Sequence, residues 1–396
     1  MQKKVYVTGL GAISAIGKSV EEMFLALKAQ HACMGGVERF DTLLRHIPVC
    51  EVKADNSDLL KMLPHQIDRG KDYSRTCLLG MIAAFQALQG SHSAVPAEKM
   101  SIVGATTVAG MDYNERYFRA LTEGTANPYW VELLDCADAT QQIAKATGIF
   151  ANITTVTTAC SSSANAIIVG ARMIRNGLAD KVLVGGADAL TRFTMNGFNS
   201  LQILSPTGCK PFDAHRNGVT LGEGAAYLLL ESENTALADD IQCELSGYGS
   251  TSDAYHQTSS SPDGEGAVMA IRKALSTAGL TPDCIDCINA HGTGTEVNDL
   301  SEGRAIETVF GTKIPPISST KGYTGHTLAA AGAIEAIIST LSIREKLLFP
   351  NIGFENAMPE VAFTPNILLQ SADIHHVMSN SFGFGGNNVS LIFSSC

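Results

Sequence analysis

One cysteine and two histidines stand out, because their types and settings suit thiol chemistry. Cys160 lies in TTACSSSANAII at 157–168, between a β-prone run, ANITTVTTA, and a chain of small residues. Ala164, Ile167, Ile168, Ala171 and Ile174 follow at helical spacing, which predicts a strand-to-helix turn at Cys160. Unpaired N–H groups and the positive dipole end at a helix start favour thiolate over thiol there. The chain has ten cysteines, so position alone does not single one out. His291 in NAHGTGTEVND and His326 in STKGYTGHTLAAAG supply partners, each among Gly and Thr after a β-prone run. That is loop chemistry at strand ends, where α/β folds place their sites. A thiol with two imidazoles suggests metal ligation or covalent catalysis. These three residues include no close ligand pair, so a thiol nucleophile with imidazole helpers is the better fit and no metal is expected. NSFGFGGNN adds Gly383, Gly385 and Gly386, a turn able to bring backbone N–H groups against a reacting carbonyl as an oxyanion hole requires.

These groups need rigid elements to hold them. Strand-like KKVYVTGL, MSIVGATT, NITTVTTA, DKVLVGGADA and GAAYLLLE alternate with helical, Ala-rich runs, and CELSGYGST, DCIDCINAHGT, PPISSTKG and NVSLIF repeat the theme. The alternation argues for an α/β protein with helix-covered sheets. VTTACSSSANAIIVGARMI and KGYTGHTLAAAGAIEAIIS share one plan: a polar approach, a reactive residue, then a helix of small residues. Two similar halves, 1–240 and 241–396, would start equivalent helices at Cys160 and His326 and let them meet.

Composition narrows the class. With 396 residues and 45% hydrophobic content the chain can bury a large core. A net charge of −11 disfavours nucleic acid as a partner. No apolar run reaches the roughly 18 residues of a membrane span, and a cytoplasmic address with scattered, reduced cysteines is expected. Cys284 and Cys287 form a lone CxxC without a second pair, a poor zinc or redox signal.

TACSSSANAI, LVGGADA, CKPFDAHRNGVTLGEGA, NAHGTGTEVND, STKGYTGHTLAAAGAIE and NSFGFGGNN, in that order, resemble the β-ketoacyl-acyl carrier protein synthases, condensing enzymes of the thiolase superfamily. The resemblance runs over nearly the whole chain. It implies two similar α/β halves in a five-layered αβαβα core. It implies that Cys160 accepts an acyl chain from a carrier-protein thioester. His291 and His326 would bind the malonyl carbonyl and stabilise the enolate left by loss of carbon dioxide. The backbone N–H groups of Cys160 and Phe384 would form the other oxyanion site, and Phe384 would gate the acyl pocket. Lys321 and Glu335 match a buried pair near the second histidine, and Asp299 an acidic residue after the first. Thr293 and Thr295 match threonines that bind the phosphopantetheine arm. Phe198, Val108 and Phe382 match substrate-binding positions, with Phe198 and Val108 bordering the acyl tunnel, and His256 matches a segment at the entrance. Arg69 and Lys71 fall where relatives meet the acidic carrier. No cofactor is implied beyond the arm that the acyl carrier protein brings.

The chain departs from the pattern in places. Glu296 and Val297 stand where a Pro-containing turn is common, and GGNN replaces the frequent GGTN. Neither change removes a reacting group. The expected activity is extension of an acyl chain by two carbons in fatty-acid-type biosynthesis. The alternative is the ketosynthase subunit of a type II polyketide or polyene pathway, working with a chain-length-factor partner. A non-catalytic chain-length factor lacks the nucleophile, and a degradative thiolase does not decarboxylate. A homodimer is the expected assembly and a heterodimer its variant.

Overall fold

The computed structural model describes residues 3–125, 127 and 129–396. Its strands are β1 (Val5–Ser14), β2 (Ser101–Ala105), β3 (Asn152–Val156), β4 (Lys181–Asp188), β5 (Gly224–Ser232), β6 (Cys243–Ser252), β7 (Cys287–Asn289), β8 (Ile317–Ser318), β9 (Leu347–Leu348), β10 (Gln370–Ser371), β11 (His376–Gly383) and β12 (Asn387–Ser394). Ten of them run in the order β3-β2-β4-β5-β1-β6-β12-β11-β7-β8.

That order contains a repeat. β3, β2 and β4 are parallel, and β4, β5 and β1 antiparallel. From the other end, β8, β7 and β11 are parallel, and β11, β12 and β6 antiparallel. The two sets meet only at Tyr6–Glu244 and Val7–Cys243. Each set therefore uses one connection plan, and the chain passes from the first to the second between β5 and β6.

Helices complete five layers. Arg75–Leu88 covers the outer face of the first sheet, and Glu265–Ala278 covers that of the second. Between the sheets, Ser162–Arg175 packs against Ala331–Glu345. Ala164, Ile167, Ile168, Ala171 and Ile174 are all buried, as their spacing predicts. The two central helices touch because their residues are small: a Cβ on Gly332 would lie 2.8 Å from that of Ala164. This contact brings the start of one helix beside the start of the other. No helix among the described residues is long and apolar enough to cross a membrane.

Strand β11 is absent from the sequence reading, which saw only the glycine turn at its end. Ser379, Asn380 and Ser381 are buried in it and interrupt the apolar pattern that marks a strand. Hydrogen bonds offset the cost at Asn380, which accepts from Ser390 at 2.8 Å and donates to Glu302 at 3.2 Å, while the buried Ser379 hydroxyl has no partner among the described residues. His326 differs too. It does not begin its helix but precedes a short 3-10 turn, Leu328–Ala330, that leads into it.

Candidate active site

Cys160 occupies the turn between β3 and the central helix Ser162–Arg175. Ala159 adopts φ 50°, a left-handed conformation that turns the chain sharply before the thiol. The Ser162 hydroxyl accepts from the Thr158 N–H at 2.8 Å and donates to the Ala159 carbonyl at 2.5 Å. Ser161 donates to the Thr158 carbonyl at 2.8 Å. The serines after the cysteine thus lock the turn. Across from it a Cβ on Gly383 would lie 3.1 Å from the Cys160 nitrogen, a tight contact that glycine avoids.

The electrostatics overturn one expectation. Burial pushes the Cys160 thiol up to about 11, against the pull of Lys321 and of the N–H groups of Phe384 and Cys160; the Asp188 charge adds to the rise. The helix start acts as expected, but desolvation outweighs it. The resting group is a thiol.

His291 and His326 are buried beside it, their ring centroids 5.4 Å apart and their planes at 87°. Ligand atoms of Cys160, His291 and His326 all lie within 4.8 Å of one another. Such convergence would suit a metal ion, which separations in sequence do not disclose. The Lys321 ammonium, 3.2 Å from His291 Nδ1, opposes a cation there. Burial first, then the Lys321 charge, holds both imidazoles well below their ordinary value. Both are neutral near pH 7.

Lys321 pairs with Glu335 and also donates to the His291 carbonyl at 2.6 Å. The resemblance set this pair near the second histidine; its direct contacts are with the first. An ammonium only donates, so His291 Nδ1 accepts and its proton resides on Nε2. Both ring nitrogens of His326 are buried with no partner among the described residues. That is an expensive arrangement unless a ligand completes it. Burial raises the Glu335 carboxyl to about 7, and the Lys321 charge opposes the rise.

Among the described residues Asp299 pairs with no cation. It accepts from the backbone N–H of Phe212 at 2.7 Å, Thr293 at 3.0 Å and Gly294 at 3.2 Å, and so fixes the loop after His291. Glu302 does the same one helical turn on, accepting from His291 N at 2.9 Å and Gly292 N at 2.8 Å. The sequence reading missed Glu302. An acidic residue inside a helix signals a solvated face, and only its burial distinguishes it.

A cavity of about 400 Å³ opens over the thiol and both imidazoles. Phe198, Phe382, Phe384, Thr293 and Thr295 line it, with Thr258 to Ser260, Glu296 and Val297. The Phe198 and Phe384 rings stack at 5.9 Å and 24°. Thr293 and Thr295 hydroxyls meet at 2.9 Å. Val108 lies outside this lining, in an apolar cluster that it shares with Phe198, Val219 and Leu328. His256 is exposed and also outside, although the loop it begins supplies lining residues. Arg69 folds back onto the carbonyls of Leu60 and Leu63, and Lys71 onto Gln142 and the rings of Tyr73 and Tyr129. Neither belongs to the cavity.

Known proteins match this chain throughout. Residues 2–236 match the family model described as beta-ketoacyl synthase, N-terminal domain, and residues 242–355 that of the C-terminal domain. A 3-oxoacyl-[acyl-carrier-protein] synthase 2 from Staphylococcus aureus (strain COL) is 34% identical over 413 aligned residues, covering 99% of this chain and 98% of that protein. Its namesake from Synechocystis is 33% identical with the same coverage. Among solved structures, the ishigamide ketosynthase/chain length factor superposes with a TM-score of 0.93 at 32% identity, covering 100% of each chain. A ketosynthase in complex with its chain length factor from Xenorhabdus doucetiae gives 0.87 at 34% identity, covering 100% of this chain and 98% of that one. Matched across both domains and along nearly its full length, the chain belongs to the β-ketoacyl synthase family of acyl-transferring condensing enzymes.

Proposed function

We propose that this chain condenses malonyl and acyl thioesters delivered by an acyl carrier protein, with Cys160 as nucleophile. The observation that carries the reading is the convergence of the Cys160 thiol with two neutral imidazoles within 4.8 Å under one cavity. In the first half reaction His326, whose ring nitrogens have no partner among the described residues, takes the thiol proton. The thiolate attacks the acyl carbonyl, and the N–H groups of Cys160 and Phe384 hold the oxyanion. The carrier thiolate leaves with the proton from His326, and the acyl chain stays on Cys160.

In the second half reaction the malonyl thioester carbonyl lies between His291 and His326. Loss of carbon dioxide leaves an enolate whose oxygen accepts from both imidazoles. Two fixed donors in a dry site stabilise that charge without reorganisation. The enolate carbon attacks the acyl carbonyl and Cys160 leaves as a thiolate that takes up one proton from solvent, giving a β-ketoacyl thioester longer by two carbons. The chemistry calls for no resident cofactor, because the carrier brings its own phosphopantetheine arm; Thr293 and Thr295 face the arm's path.

Assembly admits two readings, homodimer and heterodimer with a chain-length-factor-like subunit. Two structural relatives are described as ketosynthase with chain length factor, which supports the second. Strand β3 ends the sheet as an exposed edge, with Ile153 and Phe150 turned to solvent just before the nucleophile turn. An apolar open edge of this kind is suited to cover by another subunit. Arg69, exposed on an acidic protein, is a candidate contact for the acidic carrier. The reading is tested by incubating the purified chain with acyl and malonyl carrier proteins. A β-ketoacyl product two carbons longer supports it, product only with a second subunit selects the heterodimer, and no product in either arm overturns it.

A further inference from the structure

Asp188 ends strand β4 with a fully buried carboxylate to which no cation is bonded among the described residues. Its oxygens accept from two separate segments. Oδ1 takes the Thr106 hydroxyl at 2.5 Å, the Thr107 N–H at 3.0 Å and the Val108 N–H at 3.2 Å. Oδ2 takes the Thr107 hydroxyl at 2.6 Å and the Ala329 N–H at 2.8 Å. The first segment carries Val108 on the expected wall of the acyl tunnel. The second is the 3-10 turn just after His326.

That turn needs an anchor. Leu328 adopts φ 52°, a strained conformation for a branched side chain, which persists only where surroundings impose it. The next N–H, that of Ala329, is the one Asp188 receives. Leu328 and Val108 also belong to one apolar cluster, so the two segments share a packing environment as well as the carboxylate. We infer that Asp188 is a positioning residue that fastens the Thr106–Val108 segment to the turn behind His326 and so holds the second histidine in place for both half reactions.

The inference rests on the ketosynthase reading of the site. The N–H groups of Thr107 and Val108 on one oxygen and of Ala329 on the other can only donate, so both oxygens must accept. Asp188→Asn keeps one carbonyl oxygen for the Thr106 hydroxyl and the N–H groups of Thr107 and Val108, while the Thr107 hydroxyl, now facing the amide nitrogen, turns to accept. It sets an amide N–H₂ against Ala329 N–H, a donor against a donor. The tunnel side then survives while the His326 side fails. Small displacements of a positioned group are costly in rate, on the order of 100-fold.

The test compares three proteins: wild type, Asp188→Asn and Thr107→Val. Acylation of Cys160 by an acyl carrier protein and release of carbon dioxide from a malonyl carrier protein are measured separately. Iodoacetamide alkylation of Cys160 is followed against pH. For Asp188→Asn we expect KM for the acyl carrier within about threefold of wild type and, because His326 serves both half reactions, acylation and decarboxylation each slower by about 100-fold. Its alkylation profile moves to lower pH, because a negative charge near the thiol is gone. Thr107→Val loses one tunnel-side bond, raises KM for the acyl carrier and keeps decarboxylation, which decides the matter should Asp188→Asn not fold. Decarboxylation at the wild-type rate in Asp188→Asn, or loss of decarboxylation in Thr107→Val, overturns the inference. A wild type that performs neither half reaction overturns the ketosynthase reading and this inference with it.

Discussion

The Lys321 ammonium stands 3.2 Å from His291 Nδ1 and 2.6 Å from the carbonyl oxygen of the same residue. One side chain therefore fixes both the tautomer and the backbone of the first histidine. Its countercharge, Glu335, sits on the central helix that packs against the nucleophile helix. Donor geometry at the enolate site and packing at the core of the molecule depend on one buried pair.

Lys321→Met leaves Glu335 without a partner and His291 without its tautomer restraint. Breaking a buried pair on one side costs about 3–5 kcal/mol. Urea unfolding should show that loss, and carbon dioxide release should fall with it. Adding Glu335→Leu should restore most of the stability and none of the decarboxylation. A double variant that regains activity contradicts the role given to Lys321.

Acid should weaken the fold through the histidines. Both are held below their ordinary value of 6.5 in the folded chain, so the unfolded chain binds more protons as pH falls below that value. Stability from this source is complete above about pH 6.5 and is lost as pH falls toward the folded values. Glu302 and Glu335, each raised to about 7 by burial, act in the opposite sense, favouring the folded state as pH falls through that region. Comparing wild type with His326→Gln isolates the histidine contribution. The variant should lose less stability between pH 7 and pH 5, and an identical loss in both proteins argues against a buried neutral His326.

A thiol near 11 is scarcely ionised at neutral pH, about 0.1% at pH 8. Alkylation of Cys160 by iodoacetamide should rise roughly tenfold per pH unit from pH 7 to pH 9, without a plateau. A plateau below pH 8 would mean that local donors outweigh burial and that the resting group is a thiolate.

Gly383→Ala tests the approach of β11 to the nucleophile turn. The new methyl group would meet the Cys160 nitrogen and the Thr158 carbonyl at 3.1 Å, and the Ser161 nitrogen at 3.2 Å. Backbone on every side leaves little room to yield. Acylation should drop by an order of magnitude or more, with about 1–3 kcal/mol of destabilisation. Unchanged acylation kinetics would show that the Phe384 N–H is not held where the oxyanion forms.

Much of this site is legible in the sequence, for physical reasons. Small residues after Cys160 and around Gly332 announce helices in close contact, and glycines beside His291 and Phe384 announce turns of tight geometry. What spacing cannot show is desolvation. It hides the raised thiol, and it hides Glu302 and Asp188, whose carboxylates look like ordinary surface charge until burial turns them into backbone clamps. Strand β11 escapes notice because its buried positions are serine and asparagine rather than valine and isoleucine. The partner of Lys321 among the two histidines depends on which side of the central helix the loop crosses, and no local pattern encodes that.

The most direct measurement is intact-mass spectrometry of wild type and Cys160→Ala after incubation with acyl-loaded carrier protein, then with malonyl carrier protein. The account predicts an acyl mass gain on wild type only, cleared by the malonyl carrier as carbon dioxide and a product two carbons longer appear. An acyl adduct retained by Cys160→Ala, or none on wild type even with a second subunit present, contradicts it.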